Sequence, residues 1–159
     1  MNEVDSKLIN DAKMIFASYL EQNKQRKTPE RFSILKEIYS NQTHFDAEQL
    51  YLQMKNNQFN VSRATVYNTL ELLVNCDLVT KHQFGKNHAQ YERAYGFRQH
   101  DHIICDNCGN VAEFCDPRVY LIKSTQENLL GYKIKKHSLT FHVEACEACQ
   151  GKLIQENKE

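Results

Sequence analysis

The sequence has no long hydrophobic run, no excess of charge of either sign and no leader-like start. None of its apolar stretches approaches the roughly 18–20 residues that a membrane-spanning helix needs, so no membrane partner is expected. Residues 1–5 lack the basic and apolar regions of a secretory signal peptide. We therefore expect a cytoplasmic protein, and in that reducing compartment closely spaced cysteines indicate metal or redox sites before disulfides.

Signatures of metal-dependent hydrolases are also missing. The chain contains neither His-x-Glu followed by Pro-Cys-x-x-Cys, as in zinc deaminases, nor the His-Glu-x-x-His of metalloproteases. No nucleophile with an evident base stands out either. A metalloenzyme is the rival class for a chain with histidine-rich segments, and these absences disfavour it.

The sequence does have six cysteines, and four of them form two Cys-x-x-Cys pairs. Cys105 with Cys108 and Cys146 with Cys149 supply the four thiolates that close a tetrahedral zinc site. A redox pair is the alternative, but a thioredoxin-like motif needs one pair between a strand and a helix. The matched spacing therefore predicts a structural zinc.

A second group of ligand types lies just before the first cysteine pair. His100 and His102 alternate on a predicted strand, so both imidazoles should face one side and Asp101 the other. The further ligands of suitable type are Glu92, Glu113 and His44. Such donors suit Fe(II), Mn(II) or Zn(II), and ligands drawn from both halves of the chain would make the metal a switch of domain orientation. The alternative is that His44 and Glu92 are ordinary surface residues.

The first half of the chain has the pattern of a winged helix-turn-helix. Helices are predicted over residues 5–22, from Pro29, after Asp46 and after Ser62, and strands over 78–84 and 89–93 form a hairpin around a turn at 85–87. The last helix would enter the major groove. Cys76 is expected to be buried on this helix. The outward positions of the helix are Arg63, Thr65, Tyr67, Asn68 and Glu71. Residues 24–93 carry ten Lys and Arg against seven Asp and Glu, which permits DNA binding, while a simple amphipathic helix is the alternative.

The second half should form a small α/β domain. A strand leads into the first cysteine pair, residues 111–114 return antiparallel to it, a helix runs from Asp116 to Gly131, and strands follow at 132–135 and 139–143. The fold class is therefore α+β, with a DNA-binding domain (1–93), a hinge (94–99), a dimerisation and metal-sensing domain (100–152) and a flexible tail (153–159). A domain this small is usually held by metal and by dimerisation.

Five runs in the sequence resemble the ferric uptake regulator superfamily. They are residues 28–31 (TPER), 44–48 (HFDAE), 62–70 (SRATVYNTL), 100–105 (HDHIIC) and 113–114 (EF). The resemblance implies a homodimeric bacterial repressor whose winged helix binds an AT-rich palindromic operator and whose C-terminal domain dimerises. It also implies that the four paired cysteines hold the structural zinc. The regulatory site that it implies consists of His44, Glu92, His100, His102 and Glu113.

The resemblance further implies roles in DNA binding and metal choice. Tyr67 matches a tyrosine that meets thymine, and Arg26 matches a basic residue that reaches the minor groove. A third metal site found in many members falls on Gln99, Asp101, Tyr120 and His137, where only Asp101 and His137 are strong ligands, so a full third site is not expected. Zinc sensors of the family often have Cys at the position of Glu92, and peroxide sensors typically have Asp at the positions of Glu92 and Glu113. Because this chain has Glu at both positions, Fe(II) is the expected corepressor and iron homeostasis is the expected role. Peroxide, then zinc or manganese, are the alternative signals.

Overall fold

The computed structural model describes residues 3–40, 44–82, 89–96 and 100–149. The chain forms two compact units, Met1–Phe97 and Arg98–Glu159. No helix within the described residues is long and apolar enough to cross a bilayer. The predicted wing turn at 85–87, half of the predicted hinge (97–99) and the predicted tail lie outside the described residues.

The N-terminal unit is a winged-helix domain with four helices in the part that the structure describes. Its elements are α1 (Glu3–Gln22), α2 (Pro29–Ser40), β1 (Phe45–Asp46), α3 (Ala47–Asn56), α4 (Arg63–Asn75), β2 (Val79–His82) and β3 (Gln90–Arg93). The predicted helices and hairpin are confirmed, but the wing has a third strand that the sequence pattern did not indicate. In the order β1-β3-β2, Phe45 pairs with Tyr91 and their rings stack at 6.0 Å between centroids.

Two helix starts follow from their capping residues, as predicted. The Asp46 side chain accepts the Gln49 backbone N–H at 2.7 Å, and the Gln49 side chain accepts the Asp46 N–H at 3.0 Å. Ser62 accepts the backbone N–H of Thr65 at 3.1 Å in the same way. Each cap satisfies N–H groups that the first turn leaves without an intrahelical partner.

The chain has only five glycines, and α1, α3 and α4 each end without one. Lys24, Gln58 and Asp77 follow α1, α3 and α4 in the left-handed conformation, with φ of 53°, 61° and 56°. At the first of these ends, Gln25 N–H reaches the Leu20 carbonyl and Lys24 N–H reaches the Glu21 carbonyl, the bond pair of a Schellman motif. The turn after α1 is therefore fixed by backbone hydrogen bonds, although a non-glycine residue costs about 1 kcal/mol in this conformation.

The core of the N-terminal unit lies between the helices and the wing. Its fully buried large side chains are Phe16, Leu20, Ile34, Leu35, Ile38, Tyr39, Leu50, Met54, Val66, Leu70, Leu73 and Leu78. The expectation for Cys76 was wrong in its placement, because this residue is the half-buried C-cap of α4. Burial nevertheless raises the pKa of its thiol to about 11.

Within its described residues, the C-terminal unit is a three-stranded sheet with one helix. It contains β4 (Asp101–Cys105), β5 (Val111–Phe114), α5 (Pro117–Leu130) and β6 (Thr140–Val143). The central strand β4 pairs antiparallel with β5 and parallel with β6. Both predicted ends of α5 are confirmed, since Asp116 accepts the Arg118 N–H and Gly131 closes the helix at φ 70°.

The predicted strand at residues 132–135 is absent, and these residues belong to the described part of the chain. The Ile134 N–H donates to the Glu127 side chain at 2.7 Å instead of entering a ladder. The alternation in this segment therefore did not specify a strand. Several large apolar side chains of the preceding helix are exposed; they are Tyr120, Leu121, Ile122, Leu129 and Leu130.

Candidate functional sites

The four cysteines of the two pairs come together beside β4. The sulfur atoms of Cys105 and Cys149 are 3.9 Å apart, those of Cys108 and Cys146 are 3.7 Å apart, and those of Cys146 and Cys149 are 3.8 Å apart. Four sulfurs around one zinc at about 2.3 Å define a tetrahedron with edges of about 3.8 Å. The donor set and its spacing therefore fit one Zn²⁺ ion.

Each Cys-x-x-Cys pair is folded by a tight backbone turn. Gly109 adopts φ 73° and donates its N–H to the Cys105 carbonyl at 2.8 Å, while Cys149 donates its N–H to the Cys146 carbonyl at 2.8 Å. The parallel pairing of β4 with β6 brings the second pair alongside the first. The Cys146 N–H then donates to the Cys105 sulfur at 3.2 Å, which joins the two turns directly.

The electrostatics of the cluster favour a bound cation. Hydrogen bonds from backbone N–H groups lower the pKa of Cys105 to about 6, and the N–H of Cys108 has the largest effect. The neighbouring sulfurs raise the pKa of Cys149 to about 12, and the sulfur of Cys108 has the largest effect. Four sulfurs this close cannot all be thiolates without a positive charge among them, and a zinc ion supplies that charge while deprotonating its ligands.

A second group of donors lies at the N-terminal end of β4. The rings of His100 and His102 meet edge to face with centroids 4.9 Å apart, and His102 is only 2% exposed. Glu113 lies opposite His102 on β5, and one of its carboxylate oxygens is 3.7 Å from His100 Nε2. The C-terminal unit thus offers two imidazoles and one carboxylate on the same side of the strand.

Asp101 is buried on the opposite side of β4, as the alternation predicts. Its Oδ1 accepts the Leu139 N–H at 3.1 Å and lies 3.3 Å from His137 Nε2. Tyr120 is 73% exposed, and Gln99 lies outside the described residues. Of the four positions of the third site, the structure brings Asp101 and His137 together.

The N-terminal unit contains its own small cluster of donors around Glu92. One carboxylate oxygen is 3.2 Å from His44 Nε2, and the other is 2.7 Å from His82 Nε2. All three side chains are 12–16% exposed. His44 and Glu92 are predicted ligands, whereas the contact of His82 with Glu92 was not predicted. The predicted hairpin gave the available signal, because its register brings residue 82 near residue 92.

The residues predicted to contact DNA separate into two groups. Three of the predicted contacts, Arg26, Thr65 and Asn68, line one open cleft together with Lys24 and Ser62. The Schellman turn after α1 and the capped start of α4 place these side chains on the same surface.

The other two predicted contacts lie outside this cleft lining. Tyr67 is 48% exposed on α4. The Arg63 guanidinium donates to the Glu48 carboxylate at 2.7–3.1 Å and stacks on the Tyr51 ring. The Arg63 guanidinium is therefore already bound to groups of the protein itself.

Comparison with known proteins gives a consistent family. The ferric uptake regulator family model matches residues 22–142. The ferric uptake regulation protein of Campylobacter jejuni is 35% identical over 80% of this chain and 82% of its own, and that of Bacillus subtilis is 36% identical over 79% and 85%. The structure of a ferric uptake regulator from Pseudomonas aeruginosa with manganese superimposes with a TM-score of 0.72 at 28% identity, covering 82% of this chain and 97% of that one.

Proposed function

The chain belongs to the ferric uptake regulator family, and on that premise we propose that this metal-responsive transcriptional regulator is a repressor with Fe(II) as its corepressor. The repressor would bind AT-rich palindromic operators as a homodimer and control iron homeostasis. Mn(II) or Zn(II) would serve as substitutes in vitro. Peroxide sensing is the alternative within the family, and it is disfavoured because Glu stands at positions 92 and 113.

The observation that carries the regulatory proposal is the incomplete donor set in each unit. The N-terminal unit offers His44 and Glu92, and the C-terminal unit offers His100, His102 and Glu113. Neither group alone fills the five or six positions that Fe(II) takes with nitrogen and carboxylate donors. We propose that one ion draws on both groups, so that metal binding selects one domain orientation.

The proposed structural zinc has a separate role. Cys105, Cys108, Cys146 and Cys149 would hold it, and its function would be to join the two cysteine turns of the C-terminal unit. The sulfur spacing of 3.7–3.9 Å supports this assignment. Thiolate and imidazole–carboxylate donors differ in softness, which would allow the two sites to keep different metals.

The proposed dimer and DNA contacts rest on two surfaces. Large apolar side chains of α5, such as Leu121, Ile122 and Leu129, are exposed in the single chain and would be covered by a second copy. The cleft with Arg26, Thr65 and Asn68 presents a cationic group and two polar side chains. Phosphates and the narrow groove of A·T-rich DNA attract such groups.

The decisive experiment is operator binding as a function of metal. Anisotropy with an AT-rich palindrome should be measured anaerobically at fixed salt while Fe(II), Mn(II) or Zn(II) is added to zinc-loaded protein. We expect Fe(II) or Mn(II) to raise affinity tenfold or more, which is about 1.4 kcal/mol of coupling. Brief exposure to peroxide then separates the two signals, because an iron sensor recovers operator binding when fresh metal is added.

The matched variants are His100→Ala and His142→Ala. We expect His100→Ala to keep its zinc and its dimer but to lose metal-stimulated binding, because it removes a proposed ligand. His142 is an exposed residue paired with Asp106 at 2.7 Å, so His142→Ala should behave like the parent. Unchanged metal stimulation in His100→Ala, or a parent that ignores every metal, would contradict the proposed switch and leave a zinc-stapled DNA-binding protein.

A further inference from the structure

The Glu92 carboxylate is held from two sides by residues of its own unit. His44 Nε2 lies 3.2 Å from Oε2, and His82 Nε2 lies 2.7 Å from Oε1. The two imidazoles therefore address different oxygens, with their ring centroids 6.0 Å apart. His82 has no place in the ligand set proposed above, although its contact with the carboxylate is the shorter one.

The wing register explains why His82 reaches this carboxylate. Thr80 pairs with Glu92 and His82 pairs with Gln90, so His82 and Glu92 are diagonal neighbours on one face of the hairpin. The opposite face carries Val79 and Tyr91, which are buried in the core. With the core fixing one face, the strand pairing holds His82 against Glu92 on the other.

We propose that His82 is a positioning residue for the regulatory metal site. Its Nε2–H donates to Oε1 of Glu92 and fixes the plane of the carboxylate, which leaves Oε2 directed toward the metal on the side of His44. Carboxylates that ligate metals are commonly oriented by such hydrogen bonds, and losing one typically costs 10- to 100-fold in metal affinity. This inference rests on the proposed function, because it assumes that Glu92 is a ligand.

The test compares His82→Ala with His82→Gln in the zinc-loaded, full-length protein. Mn(II) binding should be measured by the loss of the free-ion electron paramagnetic resonance signal, with thermal melts and zinc content recorded for each variant. We expect His82→Ala to weaken Mn(II) binding 10- to 100-fold, with zinc content unchanged. His82→Gln should recover most of the affinity, because the amide keeps an N–H donor but is a poor metal ligand.

Two further variants identify the site and control for side effects. His100→Ala marks the Mn(II) that belongs to the regulatory site, and His142→Ala removes an unrelated histidine–carboxylate pair. Parental Mn(II) binding in His82→Ala would refute the positioning role alone. Equal losses in His82→Ala and His82→Gln would also refute it, since His82 would then act as a ligand or through packing. If His100→Ala removes none of the Mn(II) binding of the parent, the proposed function and this inference are both refuted.

Discussion

Removing the proposed structural zinc should unfold the C-terminal unit and leave the N-terminal unit folded. Within the described part of the C-terminal unit, the buried apolar side chains are Ile104, Cys105 and Cys149, two of which are proposed ligands. The described part of the N-terminal unit, by contrast, has a core of seventeen buried side chains. The perturbation is either a strong chelator or Cys146→Ser, and Cys115→Ser, at an exposed cysteine outside the cluster, is the matched control.

The magnitude follows from the loop that the metal closes. Cys108 and Cys146 are 38 residues apart, and cross-linking a loop of that length stabilises a fold by about 4 kcal/mol in the chain-entropy description. Burying the Ile104 side chain contributes only about 1.5–3 kcal/mol. The metal cross-link therefore exceeds the main apolar contribution of this unit, and its loss should be enough to unfold the sheet and α5.

Far-UV circular dichroism measures the outcome together with zinc content. The helix α5 has 14 residues, whereas α1 to α4 have 20, 12, 10 and 13. We expect metal-free protein or Cys146→Ser to lose roughly a fifth of the helical signal at 25 °C, while Cys115→Ser keeps it. A metal-free protein with its full helical signal would refute the reasoning, because packing of α5 in the proposed dimer would then hold the unit.

Two other predictions concern the N-terminal unit. Gly96→Ala should destabilise it by about 1–2 kcal/mol in chemical denaturation, because residue 96 has φ 74° and an added Cβ would overlap Leu8. This account would be contradicted if Gly96→Ala left the stability unchanged both in the parent and in the Leu8→Ala variant. Arg26→Ala should weaken operator binding and reduce its salt dependence, whereas Arg63→Ala should have a smaller effect because Glu48 already engages Arg63. Anisotropy over a range of salt concentrations measures both, and a larger effect at Arg63 would reverse the assignment.

Local signals in the sequence predicted the secondary structure well where a few neighbouring residues decide it. The capping box of Asp46 and Gln49 depends on residues three positions apart, and the structure has both of its hydrogen bonds. The end of α5 at Gly131 is local in the same sense, because the left-handed conformation there favours glycine. The predicted strand at 132–135 failed because alternation alone does not supply a partner strand.

Side-chain contacts across the fold were harder to predict. Arg63 faces outward as expected, with its side chain 60% exposed, but its contact with Glu48, fifteen residues earlier, was not predicted because it depends on the packing of α3 against α4. His82 was missed because its contact with Glu92, ten residues away, depends on the register of the hairpin and not on neighbouring residues. The cysteine cluster was predicted more fully, since two short, matched motifs limit the geometry before any packing is known.

The sulfur spacing of the cysteine cluster also bears on how these residues respond to oxidants. A disulfide needs its sulfurs about 2.05 Å apart, so thiols held at 3.7–3.9 Å are within a small movement of oxidation. A metal ion that occupies the centre withdraws all four sulfurs from that reaction, whereas an oxidant that arrives first removes two ligands at once. In the folded protein, a zinc ion bound among the four sulfurs would therefore protect them from disulfide formation, and a disulfide between two of them would prevent zinc binding.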